Sequence, residues 1–306
     1  MVRKLIVRTA CAAVALASAG SAHAAVTLYG LTNDNAGRNL VSFFSETPGT
    51  FSSNVAITGD VNNQTVLFGL DLNTTNNQLY ALGRVGGGNY ALFQIATNGV
   101  ATRVGGPAAT IGVGISSENS GLDYDATAGV FRVITNDENV YTINPATGQG
   151  TFVGTVAYAP GDTRGNQNNP NVVAAAFQGQ YYVLDRNGRL PQTSILSTLS
   201  GTTLNSVADI NLQINNSASF DIASNGEAYF HSGVVADRLY QLNLGDGSFT
   251  DKGALQLRLT GLTAAPGRVT SPVPEPATWA MMLLGFGTLG FALRRPHLGG
   301  TRIRFS

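Results

Sequence analysis

A block of about 50 residues recurs through the middle of this 306-residue chain, and that period limits the available folds more than any other feature. Each copy opens on a short apolar stretch ending in Asp, continues with two apolar-aromatic strands, and closes with a turn glycine and a last strand. The clearest copies pair Gly69-Leu70-Asp71 with Leu79-Tyr80-Ala81-Leu82, Gly121-Leu122-Asp123 with Val130-Phe131, and Ser219-Phe220-Asp221 with Ala228-Tyr229-Phe230. Their starts lie 52 and 98 residues apart, the second spacing being about two periods. Third strands align as Phe93-Gln94-Ile95, Val140-Tyr141-Thr142-Ile143 and Leu239-Tyr240-Gln241-Leu242, followed by Gly99, Gly148 and Gly247. In residues 144–154, Asn144-Pro145 opens the turn and Gly148 is expected to supply a positive φ before the next strand.

A weaker copy in the 98-residue interval carries Tyr181-Tyr182-Val183-Leu184 and Ile195-Leu196. Another begins at Leu28-Tyr29-Gly30-Leu31 and continues through Leu40-Val41-Ser42-Phe43, but lacks its opening strand. The segment Arg258–Thr263, far along the chain, is the candidate for that missing piece. Five units of four short antiparallel strands, the last strand completing the first unit, predict an all-β fold: a β-propeller of five four-stranded blades. A β-sandwich would not repeat, and β-helix periods are much shorter. The aspartates that open the blades, Asp71, Asp123 and Asp221, are expected to bond to backbone at strand ends rather than gather at a site.

Both termini carry targeting signals. Residues 1–24 have a basic start (Arg3, Lys4, Arg8), an apolar stretch from Ala10 to Ala19 and a final Ala22-His23-Ala24, which predicts a secretory signal helix cleaved between Ala24 and Ala25. The Sec export machinery and a signal peptidase are the implied partners. The single cysteine, Cys11, lies in this segment, so the mature chain has no thiol or disulfide. Residues 273–296 read Val-Pro274-Glu275-Pro276, an apolar run from Ala277 to Leu293, then a basic stop at Arg294 and Arg295. Seventeen helical residues span about 25 Å, enough for a short transmembrane helix held on its cytoplasmic side by the arginines. A literal G-x-G-x-x-G at Gly285–Gly290 has no preceding strand and reads as close helix packing, not nucleotide binding. The predicted division is therefore 1–24 signal peptide, 25–264 propeller, 265–272 linker, 273–296 sorting segment and 297–306 a short extension.

This tail resembles the PEP-CTERM sorting signal, from which it departs only in the extension after the basic pair. The resemblance implies processing by an exosortase-type membrane protease after transient inner-membrane association. It also implies delivery to the cell surface or extracellular matrix of a Gram-negative bacterium that makes exopolysaccharide. The blocks around Leu79–Leu82 and residues 141–154, with residues 157–177, resemble the DUF4394 family over residues 26–262. That resemblance implies a secreted, propeller-like domain and supplies no catalytic residues.

The domain itself is poor in catalytic groups. With His23 and His297 in the terminal segments, His231 is the only imidazole left, and its neighbours Ser232 and Asp237 set no relay geometry by sequence. No catalytic set and no histidine-rich metal site is therefore expected. Calcium is the one metal the composition suits, through the Asx loops Asn33-Asp34-Asn35, Asp123-Tyr124-Asp125 and Asp185-Arg186-Asn187-Gly188, although none has EF-hand spacing. No cofactor is otherwise expected. The connection from Ala159 to Asn171 interrupts the period, and its Asp162, Arg164, Asn166, Asn168 and Asn169 form a candidate sugar-binding loop.

Formal charge over the whole chain is zero, from 18 basic and 18 acidic residues. The basic residues concentrate in the two ends, leaving 11 basic and 17 acidic residues between Ala25 and Ser271. An acidic exported domain is no partner for nucleic acid. The sequence thus predicts a noncatalytic interaction module acting on exopolysaccharide or a surface protein. The alternative is a secreted propeller enzyme cleaving polysaccharide with carboxylates such as Asp162 or Asp185.

Overall fold

The computed structural model describes residues 25–34, 37–115, 120–164, 170–186, 193–234 and 237–265, together with 282, 284 and 286. Ala25–Arg268 form one compact unit, and Met1–Ala24 with Val269–Ser306 are assigned to a second. The signal segment, the Pro274-Glu275-Pro276 motif and Arg294 and Arg295 lie outside the described residues. Of the predicted membrane span, Met282, Leu284 and Phe286 are described and helical. No helix among the described residues is long and apolar enough to cross a membrane.

The larger unit is a five-bladed propeller. The first blade uses β1 (Thr27–Asp34), β2 (Gly37–Phe44) and β3 (Phe51–Ala56). The second has β4 (Thr58–Gly59), β5 (Val66–Asn73), β6 (Gln78–Gly86), β7 (Asn89–Ile95) and β8 (Val100–Arg103). The third comprises β9 (Ser120–Asp125), β10 (Val130–Thr135), β11 (Asn139–Ile143) and β12 (Gly150–Thr155). The fourth has β13 (Ala157–Tyr158), β14 (Val172–Phe177), β15 (Tyr181–Asp185), β16 (Ser194–Ser200) and β17 (Thr203–Ile210), and the fifth β18 (Ser219–Ile222), β19 (Ala228–His231), β20 (Arg238–Leu242) and β21 (Phe249–Ala254). Finally β22 (Leu259–Ala264) pairs antiparallel with β1 and supplies the missing inner strand of blade 1. Each blade is thus a four-stranded antiparallel meander, and β4 and β13 add two-residue parallel pairings on the outer strands β8 and β17.

Burial follows the distance from the axis. The inner strand β14 is buried along nearly its whole length, whereas the outer strand β3 alternates between half-buried and exposed. Five apolar clusters fill the five seams between consecutive blades. Phe68, Tyr80 and Leu92 of blade 2, for example, pack on Leu122, Phe131 and Tyr141 of blade 3, while Leu28 and Phe43 of blade 1 close the ring against Tyr229 and Leu239 of blade 5. The inner strands touch in cyclic order, β22 on β5, β5 on β9, β9 on β14, β14 on β18 and β18 on β22. Such closure satisfies edges that an open array of blades would leave unpaired.

Gly148 takes the predicted left-handed conformation at φ 71°, its N–H donating to Asn144 O at 2.8 Å while Asn144 Oδ1 accepts from Ala146 N–H at 2.8 Å. At the axis, a Cβ on Gly121 would lie 2.3 Å from Ala175 N, so β9 and β14 approach more closely than any other residue at 121 would permit.

Candidate functional site

Because side chains alternate along a strand, every second residue of an inner strand faces the following blade. Leu70 and Leu72 point back into the seam with blade 1, so Asp71 faces blade 3, where it accepts a hydrogen bond from Tyr124 N–H at 2.6 Å. The pattern repeats around the ring. Asp123 accepts from Phe177 N–H of blade 4, and Asp221 from Ala264 N–H of blade 1 at 2.6 Å. The equivalent position is Ala176 in blade 4 and Thr263 in blade 1. Lacking a carboxylate from Ala176, the Ile222 N–H of blade 5 donates instead to Asp221 Oδ1 at 2.6 Å.

The backbone bonding expected of these aspartates is present, but the expectation that they would stay apart is corrected. One carboxylate oxygen from each of Asp71, Asp123 and Asp221 lies within 4.8 Å of the other two, and all three residues are buried. Strands of matching register converge at one axis, so equal positions in the repeat become neighbours. Thr263 Oγ1 lies 3.1 Å from Asp71 Oδ1 and 2.8 Å from Asp221 Oδ2, yet its single O–H can serve only one of them at a time. Asp123 Oδ2 is buried with no hydrogen-bond donor. Above this layer the axis has a free volume of about 10 Å³, lined by Gly69, Gly121, Ala174, Ala175 and Ser219, which is room for one water.

Burial raises the affinity of this layer for protons. It pushes Asp71 up to about 8, with the Asp221 charge adding to the effect. Asp123 is held well above the ordinary carboxylate range by burial and then by Asp71. Asp221 is raised only to about 6, since its bonds to Ala264, Thr263 and Ile222 favour the ionised form against the cost of burial. A proton on Asp123 can be shared with Asp71. The arrangement can therefore hold protons or an oxygen-liganded cation.

The family model for the domain of unknown function DUF4394 matches residues 39–263. The chain belongs to the DUF4394 family. A PEP-CTERM protein-sorting motif matches residues 272–295, directly after the DUF4394 propeller. The motif marks an exported protein that is processed at the membrane by an exosortase and reaches the surface or the exterior. No curated protein matches the sequence. Among solved structures, a protein of unknown function from Bacteroides caccae is similar at 11% identity and a TM-score of 0.44, over 80% of this chain and 100% of its own. An engineered GH43 glycoside hydrolase with endo-xylanase and exo-arabinofuranosidase activity is similar at 13% identity and a TM-score of 0.50, over 82% of this chain and 55% of its own. At that identity the likeness is one of fold alone.

Of the loop residues named from sequence, Asp162 and Arg164 are described in this DUF4394 domain. Asp162 Oδ2 accepts from Ser206 N–H of β17 at 2.8 Å, and Asp162 Oδ1 accepts from Arg164 N–H at 3.0 Å. Arg164 itself is half-exposed, 3.8 Å from Asp209. Asp185 is fully buried, accepting from Tyr158 Oη at 2.6 Å and from Asn171 N–H at 2.9 Å, so it anchors both ends of the long connection to blade 4. Asn166, Asn168, Asn169, Asn187 and Gly188 fall outside the described residues, as do the side chains of Asn33, Asp34 and Asn35. Asp125 forms a turn, accepting from Thr127 and Ala128 N–H at 2.9 Å.

His231 is fully buried with Nδ1 2.8 Å from Asp237 Oδ2, a contact not aligned as a hydrogen bond. Its Nε2 has no partner, and Ser232 Oγ makes no bond to the ring. A relay needs a nucleophile on that nitrogen, and the described geometry provides none.

Proposed function

We propose that this DUF4394 propeller is a noncatalytic binding module of the cell surface or extracellular matrix of a Gram-negative bacterium, engaging exopolysaccharide after exosortase processing. The observation that carries this reading is the pairing of a PEP-CTERM motif with a propeller whose central carboxylates are buried at the axis. Glycoside hydrolysis needs two carboxyl groups flanking a sugar, about 5–5.5 Å apart for retention or about 6.5–9.5 Å for inversion. Here three buried carboxylates meet within 4.8 Å, beside a free volume of about 10 Å³.

In this reading the ligand face lies on the surface. A hollow of about 390 Å³ lies at the seam of blade 5 and β22, lined in part by Asn215, Asp237, Leu255, Gln256 and Arg258. Gln256 and Arg258 are exposed and offer donors suited to sugar hydroxyls. Co-sedimentation of the secreted domain with matrix polysaccharide from an exopolysaccharide-producing strain tests the reading. Retention that weakens in Gln256→Ala and Arg258→Ala supports it, and absence of retention on every matrix fraction overturns it.

The GH43 likeness and the central carboxylates favour a second reading, a polysaccharide-cleaving enzyme. It requires the axis to open to substrate, and it is separated from the first by whether glycan is cut.

A further inference from the structure

We propose that Asp71, Asp123, Asp221 and Thr263 form a calcium site at the propeller axis, joining the inner strands of blades 2, 3, 5 and 1 through one ion. The donors are all oxygens, three of them carboxylates, which is the chemistry of a hard divalent cation and not of zinc or copper. The second observation is Asp123: the residue is 5% exposed, it belongs to the cluster, and its Oδ2 has no hydrogen-bond donor. A buried anionic oxygen without a donor is costly unless a cation or a proton meets it. The charges that bear most strongly on Asp123 are those of Asp71 and Asp221, which repel rather than neutralise it.

Hydration favours calcium over magnesium. Donors on opposite sides of a calcium ion, at 2.3–2.6 Å each, stand up to about 4.6–5.2 Å apart. One oxygen from each carboxylate lies within 4.8 Å of the others, close enough for a single calcium ion to meet all three. Magnesium keeps most of its waters, and the axis beside the cluster has a free volume of about 10 Å³, room for one. Blade 4 contributes no ligand because Ala176 stands at its position in the ring.

The competing state is a proton shared by Asp71 and Asp123. Residues Ala25–Arg268 form a compact unit with a closed ring and its own core, so this segment can be tested directly. After stripping with EDTA, it is titrated with calcium chloride and followed by thermal melting and by native mass spectrometry. The site predicts one calcium per chain and a Tm rise of about 5–10 °C at a hundredfold excess over Kd, with a smaller rise in magnesium. Asp123→Asn, which keeps the shape and removes one charge, is expected to fold and to lose the calcium response. Should that variant not fold, the wild-type titration decides alone: no retained calcium and no Tm shift would mean that protons, not a cation, occupy the cluster.

Discussion

Replacing Gly121 with alanine tests the convergence of inner strands on which the whole arrangement rests. The added Cβ would lie 2.3 Å from Ala175 N, 2.6 Å from Ala175 Cβ and 2.8 Å from Ala174 C. These are mainly backbone positions of the neighbouring blade, so no side-chain rotation relieves the overlap, and β9 and β14 must separate. Overpacking in a well-packed core typically costs about 1–3 kcal/mol, and a clash with backbone belongs at the upper end. At about 2–4 °C per kcal/mol for a domain of this size, the expected fall in Tm is about 6–12 °C. Gly114 is the control: nothing lies within 4 Å of a Cβ there, so Gly114→Ala should change stability by no more than about 0.5 kcal/mol. Both variants would be compared by circular dichroism or calorimetric melts under identical calcium. A Gly121→Ala melt within about 2 °C of wild type would refute the close approach of blades 3 and 4, and with it the geometry of the carboxylate layer.

Three further outcomes follow from particular contacts. Tyr158→Phe removes the 2.6 Å donor to buried Asp185 and should cost about 1.5–3 kcal/mol, read from urea denaturation, with freer proteolysis of the 159–171 connection. In metal-free protein, Asp71, Asp123 and Asp221 bind protons more tightly folded than unfolded, so they stabilise the fold at low pH. That contribution should decline as pH rises from about 4 through the Asp71 value of about 8, giving a lower urea midpoint at pH 8 than at pH 5 in EDTA, and saturating calcium should remove the decline. Changing Pro274, Glu275 and Pro276 to alanine should abolish C-terminal processing, seen as an uncut, membrane-retained chain by mass spectrometry of cell fractions.

Much of the ring was readable because the repeat keeps its phase. Gly148 reported the turn through its position four residues after Asn144, and Arg258–Thr263 reported closure because its apolar pattern fits the strand blade 1 lacked. The strands β4 and β13 left no mark, since two residues in a parallel pairing carry no periodicity. The bonds that Asp162 and Asp185 accept were not legible, because a sequence shows polarity without showing whose N–H a carboxylate accepts. The carboxylate layer had a signal that local reading undervalues. Asp71, Asp123 and Asp221 hold the same place in their blades, and identical places on inner strands of a closed propeller must meet at the axis. Ala176 and Thr263 hide the fivefold pattern in the remaining two blades.

In the proposed function, the exported propeller binds matrix polysaccharide without cutting it. Incubating the secreted wild-type domain and its Asp123→Asn variant with labelled exopolysaccharide, and measuring bound glycan alongside new reducing ends, tests this most directly. A binding module gives retention by both proteins and no new reducing ends. Oligosaccharides released by wild type and lost in Asp123→Asn would contradict it and make the axis an active site.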